Sequence, residues 1–232
     1  MSRYRHLFFD MDQTISPARS PVLPEMDQLL RSLPQDIIIV SGGERTRIAS
    51  QVGDVRRYTL AQNGNHGLDP TDSELWYAPL EDRHREEILA HIDRLVAHLD
   101  HELGHEYVPI EDRGAQITFS PVGNHAPHEV KRLYDPDAAR RLDLLARVPL
   151  ESDEIVVKIG GSTSFDYIHK DRHKGANVAK LIEHLGWDAD ACVYFGDGLY
   201  PGGNDESVIG VIETVRVRDH HDTYEKLREV LR

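Results

Sequence analysis

The chain has 232 residues, more than the usual single core of about 100 to 150 residues and fewer than two full-sized domains would need. Hydrophobic residues make up 39% of it and 40 acidic residues face 27 basic ones, which predicts a globular, acidic protein and disfavours nucleic-acid and anionic-membrane partners. Its single cysteine excludes an internal disulfide framework, and neither a signal peptide nor a transmembrane stretch is evident, so we expect a cytoplasmic protein.

Four short apolar runs end in polar or glycine-rich loops, which is typical of buried parallel strands. They are Leu7–Phe9, Ile37–Val40, Tyr58–Ala61 and Cys192–Phe195. Apolar residues at helical spacing in Pro24–Leu33 and the segment Glu44–Val52 predict helices between the first three strands. This alternation predicts an α/β fold with a doubly wound, Rossmann-like parallel sheet, whose ligands bind beyond the carboxyl ends of the strands.

The middle of the chain has a different pattern. An apolar stripe from Glu81 to Leu103 predicts a long amphipathic helix, and Ala138–Val148 predicts a second one. Each helix precedes a pair of strand-like segments, which are Glu106–Ile110 with Ala115–Ser120 and Ile155–Ile159 with Ser164–Ile168. We therefore predict that residues 80–171 form an α+β domain inserted into a core of residues 1–79 and 172–232.

Beyond the insert, the pattern of the core returns. Apolar residues on one face of Lys174–His184 predict a helix that leads back to the sheet. The sequence further predicts an edge strand at Thr214–Val217 and a closing helix at Asp222–Leu231. The predicted order is therefore core, insert, core.

Acidic side chains follow two of the predicted core strands. Asp10 and Asp12 come directly after the first strand, and two acids at this spacing can hold a divalent cation while one carboxylate oxygen attacks phosphorus. The alternative is an ordinary solvated turn. Asp197, Asn204 and Asp205 follow another predicted strand and could bring further oxygen ligands to the same edge of the sheet. Hard oxygen ligands select magnesium over zinc, so the sequence predicts a Mg²⁺ site.

A hydroxyl, two glycines and a lysine are candidates for binding phosphate. Ser41 closes the second strand and precedes Gly42 and Gly43, whose backbone amides can approach an anion, although Ser-Gly-Gly is also a common turn. Lys174 opens the helix that re-enters the core, where its ammonium could neutralise both a carboxylate and a transferring phosphoryl group. The alternative for Lys174 is a solvated surface position.

In this order, the motifs resemble those of the haloacid dehalogenase superfamily of phosphotransferases, and the resemblance covers nearly the whole chain. It implies that Asp10 is the nucleophile and that Asp12 is the general acid/base. It also implies orienting hydroxyls at Thr14 and Ser41, the motif lysine at Lys174, a metal ligand at Asp197, and a polar pair near the metal at Asn204 and Asp205. Gln13 departs from the family pattern, where glycine is commoner, but removes no catalytic group.

The insert resembles the family's type II cap, subclass B, and the chain is similar to the eukaryotic-type phosphomannomutase branch. The most specific match is Pro201–Asp205, supported by Ile117–Gly123 and Gly160–Asp166. Residues that bind sugar phosphate in that branch map onto Arg19, Arg113, Ser164 and Asp166. Two further phosphate-binding arginines of the branch fall on Asn124 and Lys131, where an amide and a single ammonium bind a distal phosphate less well.

These features lead us to expect a Mg²⁺-dependent phosphatase that hydrolyses a small phosphorylated metabolite, a sugar phosphate, through an aspartyl-phosphate intermediate. A mutase has to retain a bisphosphate intermediate, so the two replaced arginines favour hydrolysis. Two alternatives stay open: a phosphomannomutase-like phosphohexomutase that uses the same aspartates, and a non-catalytic sugar-phosphate-binding protein. Cap-mediated dimers occur in the branch that the chain resembles, so the resemblance also implies a possible homodimer.

Fourteen histidines are the remaining unusual feature of the sequence. One hypothesis is a metal site formed by His98, His101 and His105 on one helical face. A more useful hypothesis is that His125 or His128, which flank the phosphate-binding region of the insert, contacts substrate.

Overall fold

The computed structural model describes residues 2–100, 103–160 and 163–231. The chain divides into two units: a core unit that runs up to Ala78 and resumes at Arg172, and an insert unit formed by Pro79–Asp171. Within the described ranges, no helix is both long enough and apolar enough to cross a membrane.

Strands and helices alternate along the core unit and are less regularly mixed in the insert unit. The strands are β1 (His6–Asp10), β2 (Asp36–Val40), β3 (Tyr58–Ala61), β4 (His66–Leu68), β5 (Glu74–Tyr77), β6 (Ile110–Asp112), β7 (Gln116–Phe119), β8 (Ile155–Gly160), β9 (Ser164–His169), β10 (Cys192–Gly196) and β11 (Glu213–Arg216). The helices are α1 (Pro24–Ser32), α2 (Arg45–Val52), α3 (Asp82–Val96), α4 (His128–Tyr134), α5 (Ala139–Arg147), α6 (Lys174–Leu185) and α7 (His220–Val230).

The core unit is built on a seven-stranded sheet in the order β11-β10-β1-β2-β3-β4-β5. The strands from β11 to β3 are parallel, as predicted. The hairpin of β4 and β5 extends the sheet with antiparallel pairing, which the sequence analysis did not predict. The sheet is therefore mixed, and its parallel part is formed by the four predicted apolar runs and the predicted edge strand.

Helices cover both faces of the core sheet. On β1, Leu7 and Phe9 point to one face and pack in a buried cluster with Met26 of α1. Phe8 points to the opposite face and packs in a second cluster with Val178 of α6. Because successive side chains of a strand alternate between faces, an uninterrupted apolar run requires a cover on both sides. This arrangement confirms the predicted doubly wound α/β fold.

The parallel register places the ends of β1, β2 and β10 side by side. Phe9 lies opposite Ile39 on one neighbour and opposite Phe195 on the other. Asp10 and the loops that follow β2 and β10 therefore meet at one edge of the sheet, where ligands of such folds bind.

The insert unit has a four-stranded antiparallel sheet in the order β6-β7-β9-β8. Ile88, Ile92 and Leu95 of α3 lie at helical spacing and pack with Phe119 and Phe165 of the sheet in one buried cluster. This packing confirms the predicted α+β character of the insert.

Two predicted elements of the insert have wrong bounds. The predicted helix Glu81–Leu103 corresponds to α3, which ends earlier. The apolar stripe continues because Leu99 and Leu103 pack against the same cluster without being helical. The predicted strand Glu106–Ile110 overlaps the observed strand β6 only at Ile110, because residues 105–107 form a 3-10 turn and Val108 has a left-handed φ of 53°. The short helix α4 was not predicted.

Candidate active site

A buried group of charges lies at the carboxyl edge of the core sheet. Asp10 is the last residue of β1 and Lys174 the first of α6, and the ammonium of Lys174 forms an ion pair with Asp10 Oδ1. Lys174 Nζ also donates to Asp205 Oδ1 at 2.7 Å. All three residues are buried, so solvent screens their interactions little. The fold thus brings together three of the predicted site residues.

Burial sets the protonation of this group. Burial, together with the nearby carboxylates of Asp205 and Asp197, raises the pKa of Asp10 to about 7 despite the opposing charge of Lys174. Burial alone would lower the pKa of Lys174, but the charges of Asp10 and Asp205 outweigh it, and the pKa lies above its ordinary value. Lys174 therefore stays cationic, while Asp10 needs additional positive charge to be fully ionised at neutral pH.

Asp205 is held by donors on both of its carboxylate oxygens. Besides Lys174, Tyr194 donates its hydroxyl to Oδ1 at 2.7 Å, and the backbone N–H of Gly198 donates to Oδ2 at 3.1 Å. Asp205 thus acts as the fixed counter-ion of Lys174. Tyr194 was not predicted from the sequence, where its signal is a hydroxyl within the otherwise apolar β10.

Thr14 joins the loop after β1 to the loop after β10. Its hydroxyl accepts a hydrogen bond from the backbone N–H of Asp197 at 3.1 Å and donates to Asp197 Oδ1 at 3.3 Å. Burial and the charge of Asp205 raise the pKa of Asp197. Asn204 is exposed, and its side chain lies against Gly198, where an added Cβ would be 1.9 Å from Asn204 Oδ1. The loops that carry the predicted metal ligands therefore contact one another.

The acidic residues of this edge suit a divalent cation. Asp10, Asp197 and Asp205 each offer a carboxylate oxygen, and these oxygens lie within 4.8 Å of one another. Three carboxylates surround the single ammonium of Lys174, so the ionised group lacks two positive charges, which a divalent cation would supply. An all-oxygen donor set of this kind fits Mg²⁺.

Asp12 lies in the same loop but points to different partners. Arg47 Nη2 of α2 forms an ion pair with Asp12 Oδ2, and the backbone N–H of Arg19 donates to Oδ1 at 2.7 Å. Arg19, whose side chain is a predicted phosphate ligand, is exposed. Between them, Gln13 has a left-handed φ of 65°, a conformation that glycine adopts most readily, which explains why a glycine would suit this position. Arg47 was not predicted.

The loop after β3 supports the predicted phosphate-binding turn, which consists of Ser41, Gly42 and Gly43. Ser41 is buried, and its hydroxyl accepts a hydrogen bond from the backbone N–H of Gly43 at 3.1 Å. The N–H of Asn63 donates to the Ser41 carbonyl at 2.8 Å, and that of Gln62 donates to the Gly43 carbonyl at 2.9 Å. Gly42 lies at the centre of this turn, next to the Asn63 side chain. Hydrogen bonds from the loop after β3 thus hold the backbone of this turn.

The insert unit carries a second set of the predicted residues. Asp166 on β9 accepts a hydrogen bond from Thr118 Oγ1 at 2.9 Å, and burial raises its pKa although Thr118 and Arg113 oppose the shift. Arg113 Nη2 donates to Glu111 Oε2 at 2.6 Å. Ser164 donates its hydroxyl to the Gly160 carbonyl at 2.8 Å. Two acids therefore act on Arg113, and the sequence analysis missed one of them, Glu111.

Known proteins match the chain along nearly its whole length, although no family model matches it. The phosphomannomutase of Schizosaccharomyces pombe is 27% identical over 246 residues, covering 97% of this chain and 93% of the relative. That of Spinacia oleracea is 26% identical over 239 residues, covering 96% and 94%. Among solved structures, a haloacid dehalogenase-like hydrolase from Bacteroides thetaiotaomicron has a TM-score of 0.69 at 12% identity, covering 98% of this chain and 99% of that one. The IMP-nucleotidase of Plasmodium falciparum has a TM-score of 0.66 at 14% identity, covering 98% and 68%.

The chain is similar in fold to haloacid dehalogenase-like hydrolases. Its sequence resembles the phosphomannomutase branch and its fold is that of haloacid dehalogenase-like hydrolases, which confirms the resemblance drawn from the motifs.

At two positions the resemblance implies that this chain departs from the phosphomannomutase branch. Asn124 is buried, and its Nδ2 donates towards the carbonyls of Val108 at 3.1 Å and Pro109 at 3.2 Å. Lys131 Nζ donates to the Asn124 carbonyl at 2.6 Å. Both side chains, which stand where the resemblance places phosphate-binding arginines, thus hydrogen-bond to the backbone of the insert unit.

The predicted histidine sites are not assembled by the described residues. His98 Nδ1 hydrogen-bonds to the Arg94 carbonyl at 2.8 Å, and His125 is exposed. His101 and the side chain of His128 lie outside the described residues, as do Gly161 and Ser162 of the matched motif in the insert.

A different histidine cluster occurs in the insert unit. His84, Glu154 and His169 offer ligand atoms within 4.8 Å of one another. His84 Nδ1 accepts a hydrogen bond from the Glu81 N–H at 3.2 Å, and His169 Nδ1 accepts one from the Asp171 N–H at 3.2 Å. Neutral rings that accept at Nδ1 carry their proton on Nε2, the atom with which His84 reaches Glu154 at 3.1 Å. In this cluster a hydrogen bond therefore joins α3 to Glu154, the residue before β8, while the ring of His169 at the end of β9 lies against that of His84.

Proposed function

We propose that the protein is a Mg²⁺-dependent phosphatase that hydrolyses a small phosphorylated metabolite, specifically a sugar phosphate. The observation that carries the proposal is the buried ion pair of Asp10 with Lys174 at the carboxyl edge of the parallel sheet. A buried nucleophile beside a fixed cation, next to the amides of the Ser41 turn, is suited to phosphoryl transfer. In this proposal the insert unit acts as the type II cap and selects the substrate.

The chemistry begins with attack of an Asp10 carboxylate oxygen on phosphorus. A bond forms between this oxygen and phosphorus as the ester bond breaks, and Asp12 donates a proton to the departing alcohol oxygen. Asp12 then removes a proton from a water molecule that attacks the aspartyl phosphate, which releases phosphate and restores Asp10. Lys174, Ser41 and the Gly42 amide stabilise the phosphoryl oxygens. Asp10 and Asp197 would hold a Mg²⁺ ion, which would supply the positive charge that the acidic edge lacks.

The charges of the insert unit favour hydrolysis over mutase chemistry. A mutase must hold the second phosphate of a bisphosphate while the intermediate turns round. Arg113 is paired with Glu111 and also faces the charge of Asp166, so a phosphate dianion that approached it would compete with two carboxylates. Asn124 and Lys131 donate to backbone carbonyls. The distal phosphate would therefore be held weakly, whereas a phosphatase needs no such hold.

The second candidate function is that of a phosphohexomutase. It is supported by the two relatives named phosphomannomutase that match nearly the whole chain at 27% and 26% identity. The same Asp10 and Asp12 would serve both reactions, and only the fate of the aspartyl phosphate would differ.

The first experiment measures phosphate release with Mg²⁺ across hexose, pentose and polyol phosphates, beside coupled mutase assays primed with hexose bisphosphate. We expect rapid phosphate release that is abolished in Asp10→Asn and slow isomerisation. Fast bisphosphate-dependent isomerisation with slow release would replace the phosphatase by the mutase. Release that persists in Asp10→Asn would refute the nucleophile assignment.

A second experiment tests the role of Glu111 in excluding a distal phosphate. Glu111→Gln removes the charge that pairs with Arg113 and keeps a hydrogen-bond acceptor. Because a hydrogen bond to a charged group contributes about 1.5–3 kcal/mol, we expect inhibition by a hexose bisphosphate to strengthen about tenfold, with the KM of an aryl phosphate unchanged. In Glu111→Gln with Arg113→Met, the gain should disappear. An equal gain with and without Arg113 would show that the acid acts only through the net charge of the unit.

A further inference from the structure

The carboxylate of Asp12 is held at both oxygens by groups from two parts of the chain. Arg47 of α2 forms an ion pair with Oδ2, and the backbone N–H of Arg19 donates to Oδ1 at 2.7 Å. The Asp12 side chain remains 33% exposed, so a substrate can reach it. A carboxylate with both oxygens bound has one preferred orientation, whereas an unpaired one samples several rotamers.

Arg47 is itself fixed by the next turn of α2. Arg47 Nε donates to Gln51 Oε1 at 2.9 Å, and Gln51 Nε2 donates to the carbonyl of Ser20 at 2.7 Å. Ser20 follows Arg19, whose N–H binds Asp12, so the hydrogen bonds form a closed ring. Each member of the ring has its position determined from two sides.

The backbone around this ring is adapted to it. Arg19 has a left-handed φ of 54°, which is unfavourable for a residue with a side chain and persists where surrounding contacts determine it. The backbone N–H of Val22 donates to the Gln51 carbonyl at 2.9 Å and ties the same loop to α2. A Cβ at Gly43 would lie 3.3 Å from Arg47 Cδ, so the glycine gives the arginine room. Arg47 thus belongs to a network of contacts that shapes the loop, and its role is not limited to one surface ion pair.

We propose that Arg47, supported by Gln51, is a positioning residue that orients Asp12 for its two proton transfers. The inference rests on the proposed function, in which Asp12 protonates the departing alcohol and later deprotonates water. General acid–base catalysis contributes about 10²- to 10⁴-fold when the proton donor is correctly placed, and Arg47 would supply part of that placement. The guanidinium touches neither the phosphoryl group nor the alcohol in this role.

The test exploits the dependence of the first step on the leaving group. An alkyl phosphate needs a proton on its departing oxygen, whereas p-nitrophenyl phosphate leaves as a stable anion. The value of kcat/KM reports the steps up to release of the alcohol, so it isolates the protonation by Asp12. For Arg47→Met we expect kcat/KM to fall about tenfold or more for the alkyl phosphate and less than about twofold for the aryl phosphate.

Two further variants separate positioning from general damage. Gln51→Leu removes the support of Arg47 without touching Asp12 and should produce the same selective loss at smaller size. Arg45→Met is the matched control, because Arg45 is an exposed arginine of the same helix and its loss changes the net charge equally. We expect this control to match the wild-type protein with both substrates.

Every outcome decides between the alternatives. An equal loss on both substrates would mean that Arg47 binds phosphate or maintains the fold, and no loss would mean that the ring does not matter; either result overturns the inference alone. A faster reaction with the alkyl phosphate would show that Arg47 holds Asp12 away from the leaving group, which also overturns it. Absence of phosphate release from the wild-type protein would overturn the proposed function, and the inference with it.

Discussion

Replacing Asp10 with asparagine should stabilise the metal-free protein at pH 8, although it removes the proposed nucleophile. Burial raises the pKa of Asp10 from 3.8 to about 7, so the folded protein holds an ionised carboxylate at pH 8 against an unfavourable environment. Each pKa unit corresponds to about 1.4 kcal/mol, and the ionised side chain therefore lowers the free energy of unfolding by about 4 kcal/mol. Asparagine has nearly the same shape and carries no charge.

The pH dependence has a definite sign. An acid whose pKa is higher in the folded than in the unfolded state adds stability while it is protonated, and that stability is lost as the pH rises through the folded value. For Asp10 the loss falls between about pH 4 and pH 7. The advantage of Asp10→Asn should therefore shrink from about 4 kcal/mol at pH 8 to about 2 kcal/mol at pH 5.5. Lys174, whose pKa is raised, stays protonated over this range and adds no slope.

Urea or thermal denaturation in the presence of a chelator measures this difference. Both tryptophans, Trp76 and Trp187, lie in the core unit, so their fluorescence reports its unfolding. In a chain of this size, 1 kcal/mol shifts the melting temperature by about 2–4 °C, so the predicted change is easily resolved. Asp190→Asn, the same substitution at an exposed aspartate of the same unit, is the control. A destabilised Asp10→Asn at pH 8, or an advantage that does not depend on pH, would refute the reasoning.

Two further predictions concern stability. Gly64 has a left-handed φ of 90°, and an added Cβ would lie 2.4 Å from Asn177 Cβ, whereas Gly53 has a φ of 62° and open space around it. Gly64→Ala should therefore lower the free energy of unfolding by at least about 2 kcal/mol more than Gly53→Ala does. Equal losses for the two variants, measured by tryptophan fluorescence, would contradict this. Arg141→Met should cost the insert unit about 3–5 kcal/mol because it leaves Asp135 buried without its partner; a loss below about 1 kcal/mol in the circular dichroism transition would contradict this.

The elements that could be predicted from the sequence are those whose pattern of apolar residues fits only one secondary structure. The apolar run of β1 fits only a strand covered on both faces, and the structure covers it so. The β4–β5 hairpin was missed because Glu74–Tyr77 is only half-buried, so its pattern is weak. The helix at α3 was made too long since Leu99 and Leu103 are apolar for packing and continue the stripe without continuing the helix.

The candidate site divides in the same way. Asp10 and Lys174 could be named from their motifs, because the chemistry needs those residue types after particular elements. Their neighbours could not: Tyr194 reaches Asp205, and Arg47 reaches Asp12, only through the packing of elements that are distant in sequence. A rotation of α2 by one residue would turn Arg47 away from the loop. Such partners depend on tertiary register, which no local pattern specifies.

The side chains of the insert unit bear most directly on the choice between hydrolysis and isomerisation. Both reactions begin with the same aspartyl phosphate, and they diverge according to how long the second phosphate of the intermediate is held. If each arginine replaced by Asn124 or Lys131 removes a charged hydrogen bond of about 1.5–3 kcal/mol, two replacements shorten that residence by about 10²- to 10⁴-fold. The pairing of Arg113 with Glu111 acts in the same direction. A bisphosphate would then dissociate before it could turn round, so isomerisation would fail, whereas attack of water on the phosphorylated Asp10 needs no hold on a second phosphate; the phosphate-release assay distinguishes the two outcomes.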